Sequence, residues 1–196
     1  MVNPRSTDDD LTAKARIRNA ALDLYSEYGP DRTSLRAIAS AAGVTLGLVQ
    51  HHYKTKAGLR DAVDQLVVDH FAAALSDVPN TGGPTGLRAA RDDAVRKMLT
   101  ENPPVLNYVR RALLEPSGEN LHLLDSLVDL TAREVSTLRK AGRASTKRRE
   151  STQIVAVLVR QMGEMLLAPL VEAVWDRLDR SESELRPRLR ITVEES

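Results

Sequence analysis

An all-α fold of about nine helices is predicted, and three features of the chain predict it. Apolar residues recur at steps of three and four along most of the sequence, the spacing of one helix face. Residues that start and stop helices stand at the ends of those stretches. No alternating apolar–polar run of useful strand length occurs, and there is no internal repeat.

The first stretch is 11–28, where Ile17, Ala21, Leu24 and Tyr28 form one stripe. Asp10 can cap its start and Gly29 its end. After the turn "PDR", residues 34–42 place Leu35, Ile38, Ala39 and Ala42 on a second helix, with Thr33 as N-cap and Gly43 as stop. Thr45 caps a third, short helix over 46–53. Thr55 caps a fourth over 56–76, with Leu59, Val63, Leu66, Val67, His70, Phe71 and Ala74 on one side. "PNTGGPTG" (79–86) is loop by composition. Helical stretches follow near 87–101, 104–115, 121–140 and 150–179. Pro169 should kink the last of these or begin a new helix. Three segments are expected: an N-terminal helical domain over 11–56, a second helical domain over 57–180, and a polar tail over 181–196.

The 196 residues suffice for one or two domains with real cores. With 42% hydrophobic and 28% charged residues, the composition is that of an ordinary soluble chain. A cysteine count of zero excludes disulfide scaffolds and Cys-ligated zinc, and fits a cytoplasmic protein. "MVNPRSTDDD" carries no apolar run, so no secretory signal is expected. The least polar region, 151–175, is interrupted by Arg160, Glu164 and Glu172, and on that ground no membrane span is expected.

The net charge of +1 hides an asymmetry. Residues 11–60 hold eight cations (Lys14, Arg16, Arg18, Arg32, Arg36, Lys54, Lys56 and Arg60) against Asp23, Glu27 and Asp31. A basic patch of this kind fits a polyanionic partner or a solvated face.

The stretch "GVTLGLVQHHYKTK" (43–56) joins two short helices through a tight turn at Gly43, a helix-turn-helix pattern. Ala39 is small where the helices would touch. Val49 would point back into the angle between them. In such a motif the second helix lies in the DNA major groove. His51 and His52 then sit on or beside the DNA-facing side, where their donors suit phosphates and base edges. Adjacent residues lie about 100° apart around a helix, so the pair cannot easily hold one metal ion. No metal site and no cofactor is expected.

The run "TSLRAIASAAGVTLGLVQHHYKTKAGL" resembles the N-terminal domain of the TetR family of transcriptional regulators. The family pattern is Thr-Ser-hydrophobic-x-x-Ile-Ala-x-x-Ala-Gly-Val-Ser/Thr-x-Gly, then an aromatic- and His-rich end, then Lys-x-x-Leu. The resemblance covers about fifty residues, and the remainder agrees in length and class only. It implies that Thr45, Leu46 and Gly47 meet DNA, that Leu48, Gln50 and His51 face the groove, and that His52 and Lys56 bind phosphate. It also implies backbone N–H groups around Thr33 and Ser34 for a phosphate, with Arg36 exposed beside them. Tyr53 would pack inward. Where many members carry an aromatic pair before the histidine, this chain has Gln50 and His51. Gln pairs with adenine edges, so no known operator carries over.

The resemblance further implies a homodimer on double-stranded operator DNA and a small-molecule effector in the C-terminal bundle. The candidate effector lining is His70, Phe71, Met98, Tyr108, Arg111, Gln161 and Met162. The apolar surface of 150–179 is broader than one buried face needs. Leu158, Met162, Met165, Leu166 and Val174 are the candidate dimer contacts. The expected function is a ligand-responsive repressor on a palindromic operator. The rival reading is a protein-binding adaptor of the same fold that has lost DNA binding. No nucleophile motif, Gly-rich phosphate loop or HExxH is present in the chain, so an enzyme is not expected.

Overall fold

The structure, a computed structural model, describes residues 12–79, 83–114 and 121–178, together with Leu185, Pro187 and 189–193. Among these residues there are eight helices and no strand: α1 (Ala13–Tyr28), α2 (Leu35–Ala41), α3 (Leu46–Tyr53), α4 (Lys56–Ser76), α5 (Pro84–Glu101), α6 (Pro103–Leu114), α7 (Leu121–Lys140) and α8 (Glu150–Arg177). A ninth helix does not begin at Pro169, which lies inside α8. Its missing N–H removes the bond to the Met165 carbonyl, yet the turns on either side continue the helix.

Several boundaries differ from those expected, each for a local reason. Thr12 caps α1, its hydroxyl oxygen accepting from the Ala15 N–H at 3.3 Å. Asp10 lies outside the described residues. Ser34 rather than Thr33 caps α2, accepting from the Ala37 N–H at 3.1 Å. α5 and α6 each open on a proline, Pro84 and Pro103, whose fixed φ suits the first helical turn. Tyr28 is not part of the buried stripe of α1. It is 49% exposed, and Tyr25 takes the inward place one turn earlier.

Two compact units, Met1–Leu127 and Val128–Ser196, part within α7. In the first, α1 is the hub, packing against α2, α3, α4 and α6, while α5 lies on α4 and α6. Ile17, Ala21, Leu22 and Tyr25 of α1 are fully buried, with Ile38 of α2, Val49 of α3, Leu59, Val63, Leu66 and Val67 of α4, and Val109 of α6. Burying each large apolar side chain contributes about 1.5–3 kcal/mol, so this cluster holds the short helices α2 and α3, too short to persist alone. α4 is buried on more than one side, since Arg60, Asp64 and His70 are buried as well.

The second unit holds the end of α7, a basic loop, α8 and a C-terminal strap. Arg139 folds the loop by donating to the Ser145 and Arg148 carbonyls, both at 3.0 Å. α8 is, by length and composition, apolar enough to cross a membrane, and little of it is buried. The charges Arg160, Glu164 and Glu172 are therefore too few to reject a span on composition alone. Met162 and Met165 are its buried residues. Val155, Val159, Leu167, Leu170 and Val174 are exposed. In the strap, Leu189, Ile191 and Val193 are half-buried and the intervening Arg190 and Thr192 are exposed. That alternation is the mark of an extended chain lying on an apolar surface.

Candidate nucleic-acid interface

The turn between α2 and α3 is fixed by backbone bonds. The Gly43 N–H donates to the Ser40 carbonyl at 3.1 Å, and the Val44 N–H to the Ala39 carbonyl at 2.9 Å. Gly43 has φ +63°. A side chain there would strain the backbone by about 1–2 kcal/mol. Thr45 then caps α3, accepting from the Leu48 N–H at 3.2 Å. Ala39 is buried where the two helices meet.

α3 is anchored along one side. Val49 is fully buried, and Tyr53, one turn later, is 7% exposed. The Tyr53 hydroxyl donates to the Lys14 carbonyl at 2.6 Å, and the Lys14 ammonium lies 5.9 Å from the ring centroid. Tyr53 is core, as expected. At about 100° per residue, His51 points about 180° away from the midpoint of Val49 and Tyr53, with Gly47 and Leu48 beside it. Thr45, Gly47, Gln50 and His51 are exposed; Leu46, Leu48 and His52 are half-buried. A Cβ on Gly47 would meet only the Thr45 hydroxyl, at 3.9 Å. The outer side of Gly47 is open, which allows close approach of a ligand backbone. The His51 and His52 rings meet edge to face, 5.4 Å apart.

The corner from α3 to α4 is sharp. Lys54 adopts φ +63°, a left-handed value that side chains resist. The Thr55 N–H donates to the Tyr53 carbonyl at 2.6 Å, and the Thr55 hydroxyl oxygen caps α4 by accepting from Gly58 at 3.0 Å. A Cβ on Gly58 would lie 2.6 Å from the Tyr53 carbonyl oxygen. Gly58 is therefore what lets α4 start so close to the end of α3. Sequence reading passes over it, because a single Gly near a helix start carries no distinct signal.

The flanking residues divide. Lys56 is half-buried, and its ammonium donates to the Asp31 carbonyl at 3.2 Å. An ammonium has three N–H donors, so this contact orients Lys56 without exhausting it. Ser34 and Arg36 are exposed. Thr33 does not take the expected place. It is 4% exposed, its hydroxyl donates to the Gly29 carbonyl at 2.8 Å, and its N–H donates to the Pro30 carbonyl at 3.2 Å. Both of its donors hold the α1–α2 turn and are not turned outward.

The expected effector lining is spread over both units. His70, Phe71, Met98 and Tyr108 are buried in the first. Arg111 donates to the Glu27 carbonyl at 3.0 Å, and its side chain runs past Gly29, so it ties α6 to the end of α1. Gln161 and Met162 belong to the second unit, half-buried and buried respectively. Of the expected dimer contacts on α8, Val174 is exposed. Met162 and Met165 are buried and Leu158 and Leu166 half-buried, because the buried side of α8 runs along the methionines.

A buried polar cluster was not expected. The Tyr108 hydroxyl of α6 donates to the Asp64 carboxylate of α4 at 2.6 Å, and the Tyr25 and Tyr108 rings stack with centroids 6.4 Å apart. Burial raises the Asp64 pKa above the usual carboxylate value, and the Tyr108 hydrogen bond and the Arg60 charge oppose that rise. Burial pushes the Tyr25 hydroxyl up to about 12. The sequence signal was present: Arg60 and Asp64, four apart, stand among the apolar residues of α4.

Comparison with known proteins agrees with this geometry. The family described as bacterial regulatory proteins, tetR family, matches residues 17–63, which span α1 to the start of α4. The HTH-type transcriptional regulatory protein RaaS of Mycobacterium tuberculosis is 35% identical over 115 residues, 59% of this chain and 51% of that protein. The HTH-type transcriptional repressor Rv3405c of the same organism is 35% identical over 107 residues, 54% of this chain and 50% of that protein. The chain thus spans about half the length of these relatives. In fold, it is similar to the transcriptional regulator FadR of Bacillus subtilis, solved in complex with stearoyl-CoA: TM-score 0.65, 12% identity, 81% of this chain and 88% of that one. These relatives are regulators and not enzymes. The capped α2–turn–α3 unit, its exposed outer face and the match over 17–63 coincide on the same residues, and over those residues the chain matches the tetR family of bacterial regulatory proteins.

Proposed function

We propose that this protein is a cytoplasmic, ligand-responsive transcriptional repressor that binds a palindromic operator as a homodimer. In this reading residues 11–56 bind DNA, and 57–180 carry the effector and the dimer contacts. The observation that carries it is α3, which is pinned by Val49 and Tyr53 on one side and presents Gly47, Leu48, Gln50 and His51 on the other. Gln50 and His51 read base edges. Thr45, His52, Lys56, Ser34 and Arg36 hold phosphates, and Leu46 packs at the edge of the groove. Thr33 supports this surface from behind.

The effector is a small, largely apolar molecule. His70, Phe71, Met98 and Tyr108 are the buried side chains it would meet, and the FadR relative in fold is one that holds stearoyl-CoA. The dimer forms through the exposed stripe of α8: Val159, Leu167, Leu170 and Val174. An exposed apolar stripe on a helix this long is a liability unless covered, and a second copy covers it symmetrically.

Selection of bound sequences from random duplex DNA, followed by titration at several salt concentrations, tests the reading. A palindromic consensus whose affinity falls linearly in log–log form with salt is expected. Recovery of no sequence, with no salt-dependent binding, would favour the adaptor.

A further inference from the structure

Gly163 lies at the centre of the exposed stripe of α8. At about 100° per residue, Val159, Leu167, Leu170 and Val174 all fall within about 40° of it, while Met162 and Met165 fall about 100° or more away. This notch is not empty. A Cβ on Gly163 would overlap the Cδ1 atom of Ile191, and Cγ1 and Cγ2 of the same residue lie 3.6 and 3.9 Å from that position. Ile191 is the middle residue of the strap whose apolar positions, Leu189, Ile191 and Val193, are half-buried while Arg190 and Thr192 are exposed. Helix and strap lie in the same compact unit.

We infer that the strap 189–193 is an internal occupant of the α8 association face, competing with a second copy of the chain for the Gly163 notch. The inference rests on the proposed dimer through α8. A notch without a side chain is where another apolar chain can approach a helix most closely, and Ile191 already fills it. For two copies to pack there, each strap has to leave. The strap belongs to the same chain as α8, so it meets its own notch as an intramolecular partner, whereas a second copy has to be recruited from solution. Its cost to association counts twice, once per subunit. An about twofold bias toward the docked strap leaves about a third of each copy competent and therefore weakens the dimer about tenfold.

Sedimentation equilibrium of the full chain tests this, with Ile191→Asp as the releasing variant and Arg190→Ala as the outward-facing control. Neither position belongs to a helix, so the fold is not at risk, and far-UV circular dichroism checks that. The expected result is a dimer about tenfold tighter for Ile191→Asp and unchanged for Arg190→Ala. Equal dimer constants in all three proteins would overturn the competition while leaving the α8 dimer standing. A weaker dimer in Ile191→Asp would also overturn it, since the strap would then be part of the interface. Monomers at every concentration in all three would remove the dimer reading, and the competition with it.

Discussion

The Tyr108 hydroxyl donates a 2.6 Å hydrogen bond to the Asp64 carboxylate, and neither residue is more than 4% exposed. This bond joins α6 to α4. Tyr25 stacks on Tyr108 from α1, but its buried hydroxyl has no hydrogen-bond partner among the described residues. Two tyrosines in one stack thus differ in what their hydroxyls do.

That difference gives opposite expectations for the same substitution. Tyr108→Phe leaves a buried carboxylate without its donor and should cost about 1–3 kcal/mol. Tyr25→Phe removes a buried hydroxyl that makes no bond, and should be neutral or stabilising by up to about 1 kcal/mol. Urea unfolding of the two variants beside the parent measures both. A loss of equal size in each would mean that the Tyr25 hydroxyl has a partner after all.

Asp64 should also leave a pH signature. Its pKa is raised in the folded protein from 3.8, with burial as the largest cause. The folded state therefore holds the proton more tightly than the unfolded chain does. Stability should be greatest below the unfolded value and fall as pH rises toward the folded value, then stay at the lower level. Asp64→Asn keeps an acceptor for Tyr108 and removes the titration. Its stability relative to the parent should rise across that window and level off above it. A parent-minus-variant difference that is flat with pH would show that Asp64 does not titrate abnormally.

How much of this was legible depends on the kind of signal. The caps Thr45 and Thr55 and the bounds of α3, α4 and α7 follow from side-chain chemistry that acts within four residues. Thr33 and Ser34 show the limit. Either can cap, and what decides between them is the carbonyl of Gly29, which draws the Thr33 hydroxyl inward. Such a choice is tertiary and leaves no mark in the local pattern. On α8 the apolar residues are so numerous that periodicity could not say which side is covered, and the methionines rather than the valines turned out to be buried. On α3, Val49 was legible from its place in the angle between the two short helices, whereas the inward place of Tyr53 came from the family resemblance.

The DNA-facing residues should separate into two kinds by mutation. If Lys56 holds a phosphate as proposed, Lys56→Ala should weaken all duplexes alike, lowering the salt slope by about 1. Because Lys56 also donates to the Asp31 carbonyl, thermal unfolding has to show that the variant is still folded. The Gln50 side chain is exposed. Gln50→Ala should relax preference at one position per half-site, with a cost of about 1–3 kcal/mol on the preferred sequence only. Binding by fluorescence anisotropy to the selected operator and to single-base variants distinguishes the two. A uniform loss in both variants would remove Gln50 from base reading.

On α8, burial divides residues that hydrophobicity alone treats as equivalent. Met162 is 9% exposed, whereas Leu170 is 60% and Val174 52% exposed. An aspartate at Met162 buries a charge without a partner, and should unfold or precipitate the chain. An aspartate at Leu170 lies on the free stripe, where it costs the single chain little. It should instead act across the two-fold axis. Each copy brings its own charge to the same apolar patch, so two carboxylates are desolvated near one another, and like charges so placed cost several kcal/mol. Leu170→Asp should therefore give a folded monomer, with an operator affinity reduced because its two half-sites are no longer bound as one unit. Sedimentation velocity and circular dichroism on the same sample read assembly and folding separately. The thermal midpoint should lose its dependence on protein concentration, which only a dimer shows. A Leu170→Asp protein that sediments as a dimer would move the association surface away from α8, whatever the behaviour of Met162→Asp.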